Sequence, residues 1–371
     1  MASTKTVVLT GVSGFIGGHI AQLLLEQGYR VRGLARPSRV TRLKAIFAKF
    51  GSSFEVVEVQ DLCTDTFSED LFHDVVGVLH VASPLPARES YDRMLQVAIE
   101  GSLNIIRQAH KAGIKKFVFT SSLGAAWHDS LGPIITGDDW NSITAEEAQS
   151  ADVMTQYTAA ETLSEKAVWE YSEQHPEIDV VTSMLLAVFP VFILNVCQYS
   201  LLSSMVRFLD GQVRPDSPDY AALSTNIYIY NLLTKHGVFP PHPRHVDVRD
   251  LALLHIRALE TSFTGAHRKR LVIGAPDALD LEEVLHLIQK RWPKLAERLN
   301  ESPLPDYDEE VTQIGFDYNS TKQITGFRRT DFRSASESVT DTVASLLALE
   351  HSWSLGGHDV SNIPAPWDSA N

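Results

Sequence analysis

The chain of 371 residues has little cysteine and no long apolar run. Its two cysteines, Cys63 and Cys197, cannot form a disulfide framework, so we expect a reducing compartment, the cytoplasm. The longest apolar run, Met184–Leu194, has 11 residues and contains a proline. A helix that spans a bilayer needs about 20 apolar residues. The sequence therefore predicts no membrane partner.

Basic residues are also in deficit, with 32 Lys and Arg against 46 Asp and Glu and a net charge of −14. Such a charge argues against nucleic acid as a partner. The expected partner is a small molecule, bound by a monomer or a homodimer. No histidine spacing matches a metal-binding motif such as HExxH, so no metal is predicted. A serine hydrolase is disfavoured because no nucleophile-elbow sequence is present.

The first half of the chain alternates strand-like and helix-like segments. Helical patterns at Ile16–Gln27, Leu95–Ala112 and Thr155–Gln174 separate the strand-like runs. This alternation is typical of an α/β fold, here a Rossmann-type doubly wound parallel sheet with helices on both faces. The predicted strands are Thr6–Thr10, Arg30–Arg36, Phe54–Asp61, Gly77–Ser83, Lys116–Ser122 and Asp179–Val188.

The alternation stops after Pro190. We expect residues 1–190 to form the dinucleotide-binding Rossmann domain, with a return near 225–260. Residues 191–371 are expected to form mainly a smaller α/β substrate-binding lobe over the carboxyl edge of the sheet, where open α/β folds bind ligands. Its expected elements are strands at His245–Val248 and Arg270–Ile273 and helices near Leu281–Arg291 and Ser334–Leu349.

A glycine-rich loop directly follows the first predicted strand and opens the first predicted helix. Gly11 suits the tight turn, Gly14 lets a pyrophosphate approach the backbone, and Gly17 allows the helix to pack on the strand. The helix N-terminus then presents free N–H groups to phosphate. The predicted cofactor-binding residues of this loop are Thr10, Gly11, Gly14, Phe15, Ile16 and Gly17.

The end of the second predicted strand indicates which dinucleotide binds. An NAD-specific site usually has Asp or Glu here to hold the ribose 2′-hydroxyl, whereas this strand ends at Arg36. Seven basic residues and no acidic one lie between Gln27 and Phe54. Arg36 therefore favours the 2′-phosphate of NADP, although a solvated basic helix face would explain part of the cluster. At the ends of the third and fourth strands, the expected cofactor contacts are Asp61, Leu62, Val81, Ala82 and Ser83.

Further motifs follow in order along the chain. They are Leu-His-Val-Ala-Ser-Pro at 79–84, Gly-Ser-Leu-Asn at 101–104, Phe-Val-Phe-Thr-Ser-Ser at 117–122 and His-Val-Asp-Val-Arg-Asp at 245–250. With the glycine loop, these motifs make the chain resemble the extended short-chain dehydrogenase/reductases. The resemblance is to their dihydroflavonol-reductase-like branch, particularly its fungal aldehyde and ketone reductases. In that family a serine, a tyrosine and a lysine reduce a carbonyl with hydride from NADPH. The resemblance assigns the serine to Ser122 and the tyrosine to Tyr157, but Glu161 stands at the lysine position.

The exchange of lysine for Glu161 changes the electrostatics of the tyrosine. A unit charge about 4 Å away, at an effective dielectric constant of about 20, contributes about 4 kcal/mol. A negative charge should therefore raise the pKa of Tyr157 above its usual ~10. A neutral tyrosine still donates a proton, so carbonyl reduction is weakened and not excluded. Lys166 does not replace the missing lysine, because on a helix position i+9 faces away from Tyr157.

Two further departures from the family lie near the same site. Ala160 replaces a serine before the lysine, and the apolar segment 183–191 replaces an Asn-Pro…Gly-Pro loop. The leading hypothesis is NADPH-dependent reduction of an aldehyde or ketone on a small organic molecule, by resemblance in secondary metabolism. One alternative is a redox-silent enzyme that catalyses isomerisation, dehydration or cyclisation with Glu161 as acid or base, and another is a non-catalytic NADP-binding protein. Further candidates for the substrate pocket are Tyr91, Trp127, His128 and Phe189.

Overall fold

The computed structural model describes residues 5–84, 89–128, 132–185, 223, 225–240, 243–261, 269–361 and 363–364. Cys197, Phe189 and the predicted domain boundary at 190 lie outside these ranges. Among the described residues, no helix combines the length and the apolar character that a membrane span requires.

The central sheet is parallel and is extended by a short second sheet. The strands of the described chain are β1 (Thr6–Thr10), β2 (Arg30–Ala35), β3 (Phe54–Glu58), β4 (Val75–His80), β5 (Lys116–Ser122), β6 (Ile134–Ile135), β7 (Asp179–Leu185), β8 (Lys269–Ile273) and β9 (Gly315–Phe316). Seven of them form the central sheet in the order β3-β2-β1-β4-β5-β7-β8, while β6 pairs with β9. The chain order reverses between β1 and β4, which is the topological switch point where such folds bind ligands.

Helices alternate with these strands along the chain. The described α-helices are α1 (Phe15–Glu26), α2 (Pro37–Ile46), α3 (Tyr91–Lys111), α4 (Ala145–Gln149), α5 (Val153–Gln174), α6 (Asn226–Asn231), α7 (Val248–Glu260), α8 (Leu281–Arg291), α9 (Glu309–Gln313), α10 (Tyr318–Thr325) and α11 (Ala335–Leu355). Short 3-10 helices occupy 48–53, 69–72, 123–125, 293–298 and 329–331.

Helices cover both faces of the central sheet. Val7 and Leu9 of β1 join Leu24 of α1 in one apolar cluster, where α1 also packs against α7. Val8 points to the opposite face and joins Trp169 of α5 in a second cluster, where α3 packs against α5. This alternation follows from the two-residue repeat of a strand. The predicted doubly wound Rossmann-type fold is confirmed.

A separate apolar cluster lies in the second half of the chain. It is built by α6, α8 and α11, with Tyr230, Ile288 and Trp353 among its buried members. Full burial of side chains of this size stabilises a fold by about 1.5–3 kcal/mol each. The cluster has its own interior, as expected for a smaller lobe.

Of the two strands predicted in the second half, one is wrong and one is confirmed. No strand forms at His245–Val248, because Asp247 caps α7 by accepting a hydrogen bond from the Arg249 amide at 2.8 Å. The strand predicted at Arg270–Ile273 exists as β8, but it pairs with β7 and completes the central sheet. Its arginine is compatible with this buried position because an acidic partner on α5 neutralises it.

The other predicted elements differ mainly at their ends. β2, β3 and β4 end one to three residues before the predicted Arg36, Asp61 and Ser83. α3 begins four residues before the predicted Leu95, because Ser90 caps its N-terminus. The last three residues predicted for the sixth strand, 186–188, lie outside the described residues.

Candidate active site

One cavity of about 400 Å³ lies at the carboxyl edge of the central sheet. Its walls come from the ends of β1, β2, β4 and β5, from the N-terminal half of α5 and from the start of α7. Every predicted site residue except Thr10 lines it: Gly11, Gly14, Phe15, Ile16, Gly17, Arg36, Asp61, Leu62, Val81, Ala82, Ser83, Ser122, Tyr157 and Glu161. The sequence predictions therefore converge on one place in the fold.

The glycine loop brings bare backbone to the cavity. Gly11 has a φ of +70°, and a Cβ there would lie 2.8 Å from the Ala82 amide nitrogen. A Cβ on Gly17 would lie 2.2 Å from the Gly11 carbonyl oxygen. Neither position accepts a side chain, so the backbones of β1, α1 and the end of β4 approach one another closely. The N-terminus of α1 consequently opens directly into the cavity.

Thr10 supports this loop from beneath. Its hydroxyl oxygen accepts hydrogen bonds from the amides of Val81 (3.0 Å) and Ala82 (3.1 Å). Its own proton is therefore donated to Nδ1 of the buried His80, 3.0 Å away. Burial lowers the pKa of His80 to about 4, so the ring is neutral. The sequence predicts Thr10 as a cofactor contact, whereas in the structure its side chain supports the wall of the cavity.

Arg36 occupies the rim of the cavity at the end of β2. It is exposed and immediately precedes α2, whose first residue is Pro37. The positive end of the α2 dipole lies beside its guanidinium, and both favour an anion. Asp61 faces the same end of the cavity, but its carboxylate accepts from the Cys63 amide at 2.9 Å and from Arg93 at 2.6 Å. The Cys63 amide, together with Arg93, holds the pKa of Asp61 below its ordinary value.

Ser122 and Tyr157 lie at the opposite end of the cavity. Ser122 is the last residue of β5, and its hydroxyl accepts a hydrogen bond from the Gly124 amide at 3.2 Å. Tyr157 lies in the first turns of α5, a helix that starts where Asp152 caps two backbone amides. The Ser122 hydroxyl lies near that of Tyr157 and partly offsets the rise in the pKa of the tyrosine. The two chemical groups that the family uses on a carbonyl oxygen are therefore together.

Glu161 is buried one helical turn after Tyr157. Its carboxylate accepts a short hydrogen bond from the Ser83 hydroxyl. Burial, reinforced by the charge of Glu165 one turn further, raises the pKa of Glu161 to about 7. Burial and then the charge of Glu161 raise the pKa of Tyr157 well above 10. Near neutral pH the tyrosine is therefore a neutral proton donor.

A buried ion pair between Arg270 and Glu165 lies next to these residues. Arg270 of β8 contacts Glu165 through two hydrogen bonds, Nε to Oε1 at 2.8 Å and Nη2 to Oε2 at 3.2 Å. Ser121 also donates to this carboxylate, at 2.7 Å. The guanidinium stacks 3.4 Å from the centre of the Trp140 ring. Ser121 also lines the cavity, but its hydroxyl donates to Glu165, so Ser122 is the serine of the pair that is assigned to act with Tyr157.

No Lys or Arg among the described residues lines the end of the cavity that holds Ser122 and Tyr157. Among the described residues that line it, the basic side chains are Arg36 and Arg93, both at the opposite end. Lys166 lies on another face of α5, where its ammonium donates to the Asn141 carbonyl at 3.0 Å. As the helical spacing predicts, it does not take the place of the family's lysine.

Three further candidates for the substrate pocket do not line the cavity. Tyr91 is buried in a cluster behind Tyr157, Trp127 is exposed, and His128 lies 3.5 Å from Asp139. Sequence reasoning missed other lining residues, among them Arg93 and Glu89 at the start of α3 and Thr225, Val246 and Leu251 from the second half of the chain. Ser90, which caps the N-terminus of α3, is the sequence signal that could have placed Glu89 and Arg93 at the start of this helix.

Comparison with known proteins defines the class of this chain. A model of the NAD dependent epimerase/dehydratase family matches residues 7–207. The protein belongs to this family, which confirms the membership of the extended short-chain dehydrogenase/reductases that the sequence motifs indicate.

Several characterised proteins are similar over nearly their whole length. Aldehyde reductase 2 of Sporidiobolus salmonicolor is 27% identical over 91% of this chain and 95% of its own. The NADPH-dependent methylglyoxal reductase of Saccharomyces cerevisiae is 26% identical over 93% and 99%. The crystal structure of yeast methylglyoxal/isovaleraldehyde reductase complexed with NADPH superposes with a TM-score of 0.74, at 23% identity, over 94% of this chain and 99% of that one. The last likeness establishes a common fold.

Proposed function

We propose that this protein reduces an aldehyde or a ketone on a small organic molecule with NADPH. The observation that carries the proposal is one cavity that runs from the glycine loop and Arg36 to the neighbouring side chains of Ser122 and Tyr157. The similarity to an aldehyde reductase and a methylglyoxal reductase supports the same class of substrate.

The residues present fit NADPH. The bare backbone at Gly11 and Gly17, where a Cβ would clash, suits close approach by a pyrophosphate. Exposed Arg36 suits the 2′-phosphate, for which a planar guanidinium offers paired hydrogen bonds. Leu62, Val81 and Ala82 provide an apolar and small-residue wall for the rest of the molecule. When bound, NADPH supplies the hydride for the carbonyl carbon.

Ser122 and Tyr157 perform the acid part of the reaction. The Ser122 hydroxyl polarises the carbonyl oxygen by donating a hydrogen bond, and Tyr157 transfers its proton to the same oxygen as negative charge develops there. Tyr157 is in the required protonated state because burial and Glu161 both disfavour its anion. The same two effects oppose the reverse reaction, alcohol oxidation, which needs the tyrosinate as a base.

The proposal is tested by NADPH absorbance with a panel of aldehydes and ketones. We expect turnover by the wild-type protein and a loss of about 10²-fold or more in Tyr157→Phe, the range for removal of a general acid. Glu161→Lys restores the cation of the family and should raise turnover. Turnover by Glu161→Lys alone would show that the wild-type protein is not a reductase, while its cofactor site and pocket are intact.

Glu161 favours a second candidate function. A buried carboxyl group with a pKa of about 7 is well matched to proton transfer at neutral pH. In this alternative the protein is redox-silent and uses Glu161 as acid or base in an isomerisation, dehydration or cyclisation. Conversion of a substrate without NADPH consumption, abolished in Glu161→Gln, would favour it over reduction. A non-catalytic role would show as NADPH binding with neither activity.

Three wider predictions accompany the proposal. We expect the protein to act in a reducing compartment, the cytoplasm, and to be a monomer or a homodimer. We retain the division into a cofactor domain at 1–190, with a return near 225–260, and mainly a substrate lobe at 191–371, and we extend the return to β8, which belongs to the central sheet. The separate apolar cluster of α6, α8 and α11 supports the second of these units.

A further inference from the structure

Two histidines and a glutamate meet far from the cavity, where two helices end side by side. His110 lies in the last turn of α3, His175 caps the C-terminus of α5, and Glu177 lies in the turn that leads to β7. One ligand atom from each residue lies within 4.8 Å of the other two. The two histidines belong to different helices, which is why sequence spacing predicts no metal site here.

The distances among these atoms suit a tetrahedral metal ion. His110 Nε2 lies 2.9 Å from Glu177 Oε1, and His175 Nδ1 lies 3.5 Å from the same oxygen. Bond lengths of about 2.1 Å to Zn²⁺ place neighbouring ligands of a tetrahedron about 3.4 Å apart. The two measured separations bracket this value, and all three ligand atoms lie within 4.8 Å of one another.

The rings are already held in position by a tyrosine. The Tyr171 hydroxyl lies 2.9 Å from His110 Nδ1, and its ring centre lies 4.3 Å from that of His175. With a metal at Nε2, the Nδ1–H of His110 donates to this hydroxyl, which is the outer contact that metal-bound histidines commonly make. The site therefore resembles a formed binding site more than a chance meeting of mobile side chains.

The local charge also favours a cation. The negative ends of the α3 and α5 dipoles both point to this place. The basic residues of α3 nearest in sequence to His110 are Lys111, the last residue of the helix, and Arg107, which pairs with Glu100 at 3.1 Å. The side chains of His110, His175 and Glu177 are 18%, 36% and 47% exposed, so an ion has access and a water molecule can complete its coordination.

We propose that His110, His175 and Glu177 form a binding site for Zn²⁺ or a similar first-row transition-metal ion. Two imidazoles and one carboxylate are the ligand types that such ions prefer. The ion joins the C-terminal end of α5 to that of α3 and to the start of β7. Because α5 also carries Tyr157 and Glu161, the site stabilises the helix that holds the catalytic end of the cavity.

The test is a titration of the metal-free full-length protein with ZnCl2, read by calorimetry and by thermal unfolding. We expect one ion per chain, and a Tm higher by about 3 °C at a hundredfold excess over Kd. His175→Ala and Glu177→Gln should abolish both effects, whereas His236→Ala should keep them. His236 is the matched control because it is an exposed histidine that also lies beside a glutamate, Glu301.

Two results would overturn the proposal. The first is no Tm increase and no saturable binding in the wild-type protein. The second is binding of equal strength in His175→Ala and Glu177→Gln, which would assign the zinc to scattered surface histidines. In EDTA the three variants should unfold within about 1 °C of the wild type, since surface substitutions of this kind have small effects. The comparison therefore does not depend on a folding defect.

Discussion

The substitution Glu161→Gln should change how the stability of the protein depends on pH. The pKa of Glu161 is about 7 in the folded protein, against 4.5 for an ordinary glutamate, chiefly because the carboxyl group is buried. A raised folded-state pKa means that the stability is fully present below pH 4.5 and is lost as the pH rises to about 7. The difference between these values corresponds to about 3 kcal/mol, at about 1.4 kcal/mol per pKa unit. No reduction for solvent screening applies, because the side chain is buried.

The assay is urea unfolding of the cofactor-free protein at several pH values between 5 and 8. Linkage with these two pKa values predicts that the wild type loses about 2 to 3 kcal/mol more than Glu161→Gln over this range. The comparison of slopes removes the effects of all other titrating groups. Glu170→Gln is the matched control, since Glu170 is an exposed glutamate on the same helix, α5, and should follow the wild type.

Equal pH slopes for the wild type and Glu161→Gln would refute the reasoning. They would mean that Glu161 titrates alike in the folded and unfolded states, as a solvated carboxyl group does. A wild type that becomes more stable than Glu161→Gln as the pH rises would be stronger contrary evidence. It would indicate that a cation lies beside Glu161 and holds the pKa of its carboxyl group below the ordinary value.

Three further predictions concern activity, cofactor binding and the ion pair. Reductase kcat/KM should fall about tenfold above pH 7 in the wild type and stay level in Glu161→Gln. The reason is that the Glu161 carboxylate opposes the negative charge that develops on Tyr157. A level wild-type profile would contradict this. Gly17→Ala should abolish NADPH binding measured by calorimetry, since its Cβ would lie 2.2 Å from a carbonyl oxygen, whereas Gly132→Ala, with open space around it, should bind normally. Arg270→Met should lower the free energy of unfolding by about 3–5 kcal/mol, because it leaves Glu165 buried and unpaired. Adding Glu165→Gln in the same chain should recover most of this loss. An equal loss in the double variant would contradict this account.

Local patterns predict the cofactor loop and the catalytic helix well. The glycine loop is a short-range feature in which strand, turn and helix follow one another within 12 residues, 6–17. The neighbourhood of Tyr157 and Glu161 follows from the four-residue spacing on a helix. The separation of Lys166 from this pair has the same origin. In each case the neighbours in sequence and the local backbone conformation account for most of the geometry.

Long-range pairing explains what the sequence does not predict. Arg270 in a strand suggests an exposed edge, but its partner Glu165 lies on a helix more than a hundred residues earlier, and together they are buried. The raised pKa of Glu161 arises from its burial, which the hydrogen bond from Ser83, 78 positions away, partly offsets. Such effects arise only when distant segments meet.

The most direct test of the proposed function is isotope transfer from NADPH that carries deuterium at the reactive position of its nicotinamide ring. The wild-type protein is incubated with this NADPH and an aldehyde or ketone that it converts, and the product is analysed by mass spectrometry. Reduction predicts an alcohol with one deuterium on the former carbonyl carbon, and a loss of this product in Tyr157→Phe. A converted substrate without deuterium, or deuterium transfer only in Glu161→Lys, would show that the wild-type protein is not a reductase.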